Sequence, residues 1–401
     1  VEQVDVVVVG AGPAGAAAAI ALARAGRRVV VLDKATFPRD KCCGDGLTTL
    51  ALRELEPLGF VPAMVPSWQT VSAAWVRSPG GNEVTLPLPS DGVFAATAPR
   101  RELDAALMTL ARRAGADVRD GCELGAVEER DDHIVVSDVD GHRVAAAYVL
   151  AADGMWSPTR RLLGVGEAGY RGEWHAARQY VSGVTGAAAD RLHVWFEHDL
   201  GAGYAWSFPL PDGRANVGFG VLRSAGHSGH ELRAMWDAVR TRPHIVEALG
   251  PGVVWDERMT AWPIPAGIDR ATLAHGRTLF AGDAARAADV MTGEGIGQAL
   301  LTARLAVTSI VGGDAARPAL ATAAYERAVR RHLLADHRTS KALTAVVSHA
   351  RVVDAGVRLV ARGHWSRHAF ARWMFEDAPR HSLVTPWRWR GGDAPRPGAF
   401  V

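Results

Sequence analysis

Lysine is almost missing from this chain: it occurs only at positions 34, 41 and 341 of 401 residues, so arginine carries the positive charge. The formal net charge is +2, with 45 basic against 43 acidic residues, which leaves no basic excess for nucleic-acid binding. Three cysteines, Cys42, Cys43 and Cys122, are too few and odd in number for a disulfide scaffold. Adjacent cysteines rarely pair with each other, so Cys42 and Cys43 are expected as free thiols in a reducing cytoplasm. No apolar run reaches bilayer length, and no leader is expected ahead of the first strand. There is no HExxH or CxxC pattern, and His332 and His337 lie five apart, off a common helix face, so no metal site is expected. Repeats and low-complexity tracts are lacking too. What is present is a globular composition, 48% hydrophobic and 22% charged, with 13 tryptophans, several of which are expected to line an apolar cavity.

The first forty residues carry the strongest pattern. Val6-Val7-Val8-Val9 is a short β-branched run of the kind a buried parallel strand uses. Gly10-Ala11-Gly12-Pro13-Ala14-Gly15 follows at once, and the alanine-rich stretch from Ala16 to Ala25 reads as a helix closed by Gly26. A second apolar strand, Arg28 to Leu32, ends in Asp33, with Lys34 next. Strand, GxGxxG, helix, strand and acidic residue together form the dinucleotide fingerprint in its required context. Gly10 permits the tight turn, Gly12 lets the backbone approach a pyrophosphate, and Gly15 lets the helix pack close to the strand. The helix N-terminus faces the phosphates with unpaired N–H groups and a positive dipole end. Asp33 can accept hydrogen bonds from a ribose diol.

Residues 34–47 are rich in glycine and charge and read as a loop, either one along the cofactor with Cys43 and Asp45 near a reactive ring or a structural turn with two incidental thiols. Thr48 to Leu58 reads as a short helix closed by Gly59. Val71 to Pro89 is patterned as a hairpin around Pro79-Gly80-Gly81-Asn82, and an amphipathic helix runs from Pro99 to Ala114. Ile134–Ser137 and Arg143–Ala152 read as a further hairpin whose last strand ends in Asp153-Gly154. Strands over Arg191–Glu197, Tyr204–Pro209 and Ala215–Leu222 read as an antiparallel meander. Tyr204, Trp206 and Phe208 alternate along one strand and so share a face, an aromatic wall that either packs on helices or lines a substrate pocket. The apolar strand Thr278–Ala281 opens onto Gly282-Asp283, and Thr292-Gly293-Glu294-Gly295-Ile296-Gly297 leads into a helix from Gln298 to Ile310. Backbone N–H groups there could meet an anionic ring edge, and Asp283 could bind a polyol hydroxyl. Residues 318–376 read as three helical stretches broken near Ser340 and Gly363. The tail from Phe370 to Trp389 mixes tryptophan and arginine, the composition of a peripheral membrane contact or of a core cap with snorkelling arginines.

Gly10–Gly15 with Asp33, Asp153-Gly154 and Gly282-Asp283 together resemble the flavoprotein fold of the class A aromatic hydroxylases. A nearer resemblance is to the geranylgeranyl reductase family, menaquinone reductases included. Phe37-Pro38-Arg39-Asp40-Lys41 followed by Cys43-Gly44-Asp45-Gly46-Leu47-Thr48 is similar to that family's loop. Gly203-Tyr204-Ala205-Trp206-Ser207-Phe208-Pro209 with Asn216-Val217-Gly218-Phe219-Gly220 is similar to its YxWxFP…GxG motif, and Thr292–Ile296 to its flavin-ring loop. The resemblance covers residues 4–310. It implies an α/β chain: a Rossmann-like FAD-binding domain of the glutathione reductase and hydroxybenzoate hydroxylase type (1–69 with 97–172 and 270–315), an antiparallel β-sheet substrate domain (70–96 with 173–269), and C-terminal helices and tail (316–401).

The resemblance also implies a set of site residues. FAD would be held by Gly10, Gly12, Pro13, Ala14, Gly15, Asp33, Lys34, Arg100, Asp153, Gly154, Gly282, Asp283 and Gly293. Gly295 and Ile296 would offer N–H groups to the N1–C2 carbonyl edge. Cys43 and Asp45 would be the catalytic pair, and Tyr204, Trp206 and Phe208 would line the substrate pocket. Two departures stand out. The family's Asn-Pro ahead of the glycine loop is Asp289-Val290 here, and the loop cysteine has gained a neighbour, Cys42. There is no second GxGxxG, so electrons are expected from transient NAD(P)H or a separate flavin reductase.

Two activities follow as expectations. One is reduction of a C=C bond in an isoprenoid or terpenoid substrate by hydride from reduced FAD, with Asp45 or the Cys43 thiol giving the proton. The other is an FAD-dependent monooxygenase that hydroxylates or epoxidises a terpenoid or aromatic natural product. A non-catalytic flavoprotein would lose the loop chemistry, which Cys43-Gly44-Asp45-Gly46 keeps. Tyr204–Pro209 also resembles the WxWxIP of flavin halogenases, but those need a lysine between flavin and substrate, and none of the three lysines has that setting. The expected partners are an apolar small molecule, an electron-donor reductase and, through the tail, a membrane surface touched by an otherwise cytoplasmic protein.

Overall fold

The alternation of side chains in the first strand decides the layering. A computed structural model describes residues 1–226, 228–256, 258–381 and 396–401. Glu2–Val9 is a strand that pairs in parallel with Val29–Asp33 on one side and Arg143–Ala151 on the other. Asp117–Asp120 and Thr278–Phe280 extend this parallel sheet at its two sides. Both faces are covered, which is why its central strands are near-continuous apolar runs. Val6, Val8, Val29 and Val31 bury against the helices Pro13–Arg24, Arg100–Arg113 and Ile296–Val311. Val7, Val9, Val30 and Leu32 bury on the opposite face, against Leu124, Ile134 and Val136. Those three come from the antiparallel strands Leu124–Glu129 and Ile134–Asp138, which continue from Arg143–Ala151; the first of these is not apparent in the sequence pattern.

The first helix starts at Pro13, three residues before the alanine run. Extended Gly12 is its N-cap, and a proline at the first helical position lacks only an N–H that would be unpaired anyway. It ends at Arg24, with Gly26 left-handed just beyond. Thr49–Leu55 is helical and tightens into a single 3₁₀ turn, Glu56–Leu58, before left-handed Gly59.

The second sheet runs in the order Val254–Trp255, Trp174–Ser182, Arg214–Leu222, Tyr204–Leu210, Leu192–Trp195, Ala73–Arg77, Glu83–Pro87, with Thr260–Ile264 also paired to Trp174–Ser182. It is not wholly antiparallel, because Leu192–Trp195 and Ala73–Arg77 pair in parallel where the early hairpin joins the meander. One face, with Trp195, Val217 and Phe219, packs under the helices Gly229–Val239 and Pro243–Leu249. The hairpin end of the sheet packs against Val353, Val357, Ala371 and Phe375 of the C-terminal segment.

That segment differs from expectation at one point. Pro318–Val347 is one unbroken helix, followed by Ala350–Ala361 and His364–Met374. Ser340 does not break it. The residue is fully buried, and its hydroxyl donates to Asp289 Oδ2 at 2.6 Å, so it does not compete for the helix backbone. Within the tail, Arg380 lies over the Trp373 ring and donates to Trp373 O at 2.8 Å, both side chains being buried. This portion caps the core; Trp387, Arg388, Trp389 and Arg390 lie outside the described residues. Among the described residues no helix is long and apolar enough to cross a membrane.

The glycine turn is packed to contact. A Cβ at Gly15 would lie 1.7 Å from Gly10 O, and one at Gly10 would lie 2.4 Å from Ala152 O. Gly15→Ala is therefore expected to destabilise the chain without FAD by about 1–3 kcal/mol or more, the usual cost of overpacking. Denaturant unfolding measures it, and an unchanged midpoint would contradict this packing.

Candidate active site

Between the two sheets lies one cavity of about 840 Å³, towards the upper end of the range of roughly 300–1,000 Å³ for small-molecule sites. Every residue expected in the site lines it except Gly15 and Asp45. Its groove end is built by Gly10, Gly12, Pro13, Ala14, Asp33 and Lys34. Asp33 is fixed at the strand end, Oδ2 accepting from Ala11 N–H at 2.7 Å and Oδ1 from Ala35 N–H at 2.8 Å.

Three observations fit a bound dinucleotide. At Gly12 a Cβ would enter open space and meet nothing nearer than the guanidinium ends of Arg39 and Arg100, both 3.8 Å away. Buried Asp104 holds those two arginines together: Arg100 donates to its two oxygens at 2.8 and 2.7 Å, and Arg39 donates at 3.0 Å. One carboxylate between two guanidiniums leaves positive charge beside a helix N-terminus, a setting for a pyrophosphate. Burial works against the Arg100 charge, but Asp104 outweighs it and holds the guanidinium more basic than usual. Thirdly, Asp153 Oδ1 is buried with no hydrogen-bond partner, while Oδ2 takes Thr159 N–H at 2.9 Å. An orphaned carboxylate oxygen in a groove fits a ligand hydroxyl. Burial raises this carboxyl above the usual range. Further along, Asp283 follows left-handed Gly282 and is met by Lys41 at 3.2 Å.

The ring end is formed by two loops. Gly293 and Glu294 precede Gly295, the N-cap of the helix Ile296–Val311, whose first N–H groups have no partner within the helix. This loop is fastened by Asp289. Its Oδ1 accepts from Met291 N–H, Thr292 N–H and the Thr292 hydroxyl at 3.0, 2.8 and 2.9 Å, and its Oδ2 accepts from Ser340. Burial would raise this carboxyl, but Arg380 and these donors outweigh it and hold it low. The Asp289-Val290 departure is thus a built turn. Val290 O accepts from Trp174 Nε1 at 2.8 Å.

The second loop carries Cys43, whose side lines the cavity. Burial, with Asp45 adding, pushes its thiol up to about 12, so it stays neutral. Asp45, expected as a proton donor beside the ring, is not among the residues that line the cavity. It is fully buried, left-handed (φ 64°) and behind the cavity wall. It accepts from the Tyr180 hydroxyl at 2.6 Å, Asn216 Nδ2 at 2.8 Å and Arg100 N–H at 3.2 Å. Burial raises it to about 6 against these donors, and its three hydrogen bonds tie the loop to the second sheet and to the helix Arg100–Arg113.

The aromatic wall lines the cavity over this loop. Tyr204 and Trp206 rings lie 5.9 Å apart and Trp206 and Phe208 6.0 Å apart. The Tyr204 hydroxyl donates to Thr292 O, which joins the wall to the ring loop. A Cβ at Gly46 would stand 3.0 Å from Phe208. Trp174 and Trp262 also line the cavity.

The FAD binding domain family model matches residues 3–337. A menaquinone reductase of Mycobacterium tuberculosis is 35% identical over 81% of this chain and 81% of its own. The chain belongs to the geranylgeranyl reductase and menaquinone reductase family of FAD-dependent oxidoreductases. Digeranylgeranylglycerophospholipid reductase 2 of Methanopyrus kandleri is 32% identical over 76% of both chains. A geranylgeranyl bacteriochlorophyll reductase-like structure from Thermoplasma acidophilum superposes with a TM-score of 0.78 over 96% of this chain and 99% of that one, at 22% identity.

Within this reductase family chain, sequence reasoning missed Asn216, Tyr180 and Glu294. Asn216 Oδ1 accepts from Trp206 Nε1 at 3.1 Å while its Nδ2 donates to Cys43 O at 2.8 Å, so it locks wall to loop. Its place in a quoted motif was the available signal. Tyr180 sits on the strand Trp174–Ser182, which showed no alternation to flag it. Arg39 and Lys41 were quoted in the loop motif but given no role.

Gly12→Val should leave the fold intact, since a Cβ there meets only the flexible ends of Arg39 and Arg100 at 3.8 Å, yet abolish FAD retention. Circular dichroism with flavin absorbance checks both; a yellow variant would contradict the groove assignment.

Proposed function

We propose that this enzyme saturates a C=C bond of an isoprenoid-type apolar substrate, with NAD(P)H or a separate flavin reductase as electron source. The observation that carries the reading is the single cavity: the dinucleotide groove runs without interruption into a chamber walled by Tyr204, Trp206 and Phe208. The relatives named above, a menaquinone reductase and a digeranylgeranylglycerophospholipid reductase, support it, since both names denote reductases of prenylated lipids. FAD, when bound and reduced, supplies a hydride.

The chain's own residues position and desolvate. Groove residues from Gly10 to Ala14, with Arg39, Arg100, Asp153 and Asp283, would hold the cofactor. Gly295 and Ile296 would turn N–H groups towards the ring edge that gains negative charge on reduction. The wall would press an apolar chain towards the ring and exclude water. Cys43, kept neutral by burial, would put a small thiol beside the reacting carbons with no competing charge. Asp289-Val290, where this chain departs from its family, serves the loop's own structure.

Cys43→Ala should spare FAD binding and lower turnover by about 10-fold or more. The measurement is anaerobic mixing of the reduced protein with a short-chain menaquinone, following by mass the saturated side chain that remains after the quinone ring is reoxidised in air. Turnover equal to the unaltered protein would make the loop purely structural. No saturated side chain, with labelled oxygen entering a product in air, would replace reduction by monooxygenation.

A further inference from the structure

We infer that Glu294 is the catalytic acid that completes the reduction, an inference that rests on the reductase reading above. Glu294 is partly buried and lines the cavity between Gly293 and the helix N-cap Gly295. Its carboxyl oxygens accept from and donate to none of the described residues. With no donor among the described residues, this partly exposed carboxyl is open to solvent and to whatever occupies the cavity.

The backbone under it is fixed. Asp289 N–H donates to Glu294 O at 2.8 Å and Gly293 N–H to Asp289 O at 2.9 Å, while Asp289 Oδ1 gathers three donors of the same turn. Tyr204 of the aromatic wall reaches the loop at Thr292 O, two residues before Glu294. The acid therefore stands on a rigid turn, on the wall shared by the ring loop and the substrate chamber.

The charged groups around it come from every packed element. Glu376, held by Thr48 and Gln298 at 2.7 and 2.6 Å, faces it from the C-terminal segment, as does Arg380; Asp289 faces it from its own turn. Cys43 and Tyr204 feel its charge from the opposite loop and the wall. Burial, with Glu376 and Asp289 adding and Arg380 opposing, lifts Glu294 to about 8. It is then a neutral acid at pH 7 that bulk water can recharge. The other two candidates fare worse: Asp45 lies behind the wall, and Cys43 at about 12 is a poor donor.

The step balances as follows. Hydride adds to one alkene carbon, forming one C–H bond with the electron pair, the reduced flavin being the reductant. The π pair moves to the neighbouring carbon and takes the Glu294 proton as the O–H bond breaks. The products are the saturated chain, oxidised flavin and the Glu294 carboxylate, which regains a proton from water. NAD(P)H or the donor reductase restores the reduced flavin.

The test uses Glu294→Gln and Glu294→Asp in the full chain, with a short-chain menaquinone. In Glu294→Gln, anaerobic saturation of the side chain, followed by mass after the quinone ring is reoxidised in air, should slow by about 100-fold or more, the usual worth of a positioned acid. FAD affinity should be unchanged, and Glu294→Asp should recover part of the rate. The unaltered protein should lose rate as pH rises through about 8, a limb absent from Glu294→Gln. A readout independent of turnover is thermal unfolding of the FAD-free chain. The folded pKa lies above the unfolded one, so this group's favourable contribution is full below about 4.5 and is lost by pH rising through about 8. Glu294→Gln should gain in melting temperature relative to the unaltered protein across that window. A Glu294→Gln rate within threefold of normal, a loss of FAD affinity, or a pH-independent melting difference would each overturn the assignment. If the unaltered protein itself yields no saturated side chain anaerobically, the reductase reading fails and the proton donor falls with it.

Discussion

A single buried carboxylate, Asp45, holds the working surfaces in register. It has no access to solvent and sits in a left-handed turn, so its charge must be met by protein groups. Those come from three places: Tyr180 and Asn216 on the second sheet and the first N–H of the helix Arg100–Arg113 beneath the groove. Because the same Asn216 holds Cys43 O and Trp206 Nε1, loop, wall and groove share one hydrogen-bonded centre. A shift of any one would leave a buried donor or acceptor unpaired, costing about 1–3 kcal/mol. The cavity is thus shaped by polar pairing behind it more than by the apolar surface in front.

Charge is distributed along the cavity with equal economy. The Arg39–Asp104–Arg100 cluster concentrates positive charge at the groove, beside a helix N-terminus. At the ring end the balance reverses: Asp289, Glu294 and Glu376 gather around the lone guanidinium of Arg380. Three carboxyls and one arginine cannot all be ionised cheaply at that burial. Asp289, with most donors, is held below the usual carboxylate range, and Glu294, with none, is pushed above it.

The strand–turn–helix start was legible because periodicity and glycine spacing are local. The aromatic wall was legible from its two-residue alternation, and the resemblance supplied Asp153 and Asp283. What failed to show depended on distant partners. The strand Trp174–Ser182 mixes buried and partly buried positions irregularly because it is paired on both edges, puts Val181 into the core and lends Trp174, Ala176 and Arg178 to the cavity wall. The partners of Asp45, Tyr180 and Asn216, show only in the fold, since they lie 135 and 171 residues away. Ser340 looked like a helix break because its partner Asp289 lies 51 residues away. Glu294 was visible only as a member of a glycine-rich loop, since burial, which gives it chemistry, has no local signature.

The bond from Ser340 to Asp289 has a bearing on how such a scaffold can be re-purposed. It crosses from the long C-terminal helix to the turn under the ring, and Thr344 of the same helix turns its hydroxyl to Val290 O at 3.4 Å. The C-terminal helices are thus not a detachable lid. A chimera that grafts another relative's helices to change what fits against the wall must import hydroxyls at positions 340 and 344. Without them it strands a buried carboxylate oxygen and loosens the turn that presents the helix N-terminus. Exchange of substrate preference and retention of cofactor geometry are inherited together, through two hydroxyl groups.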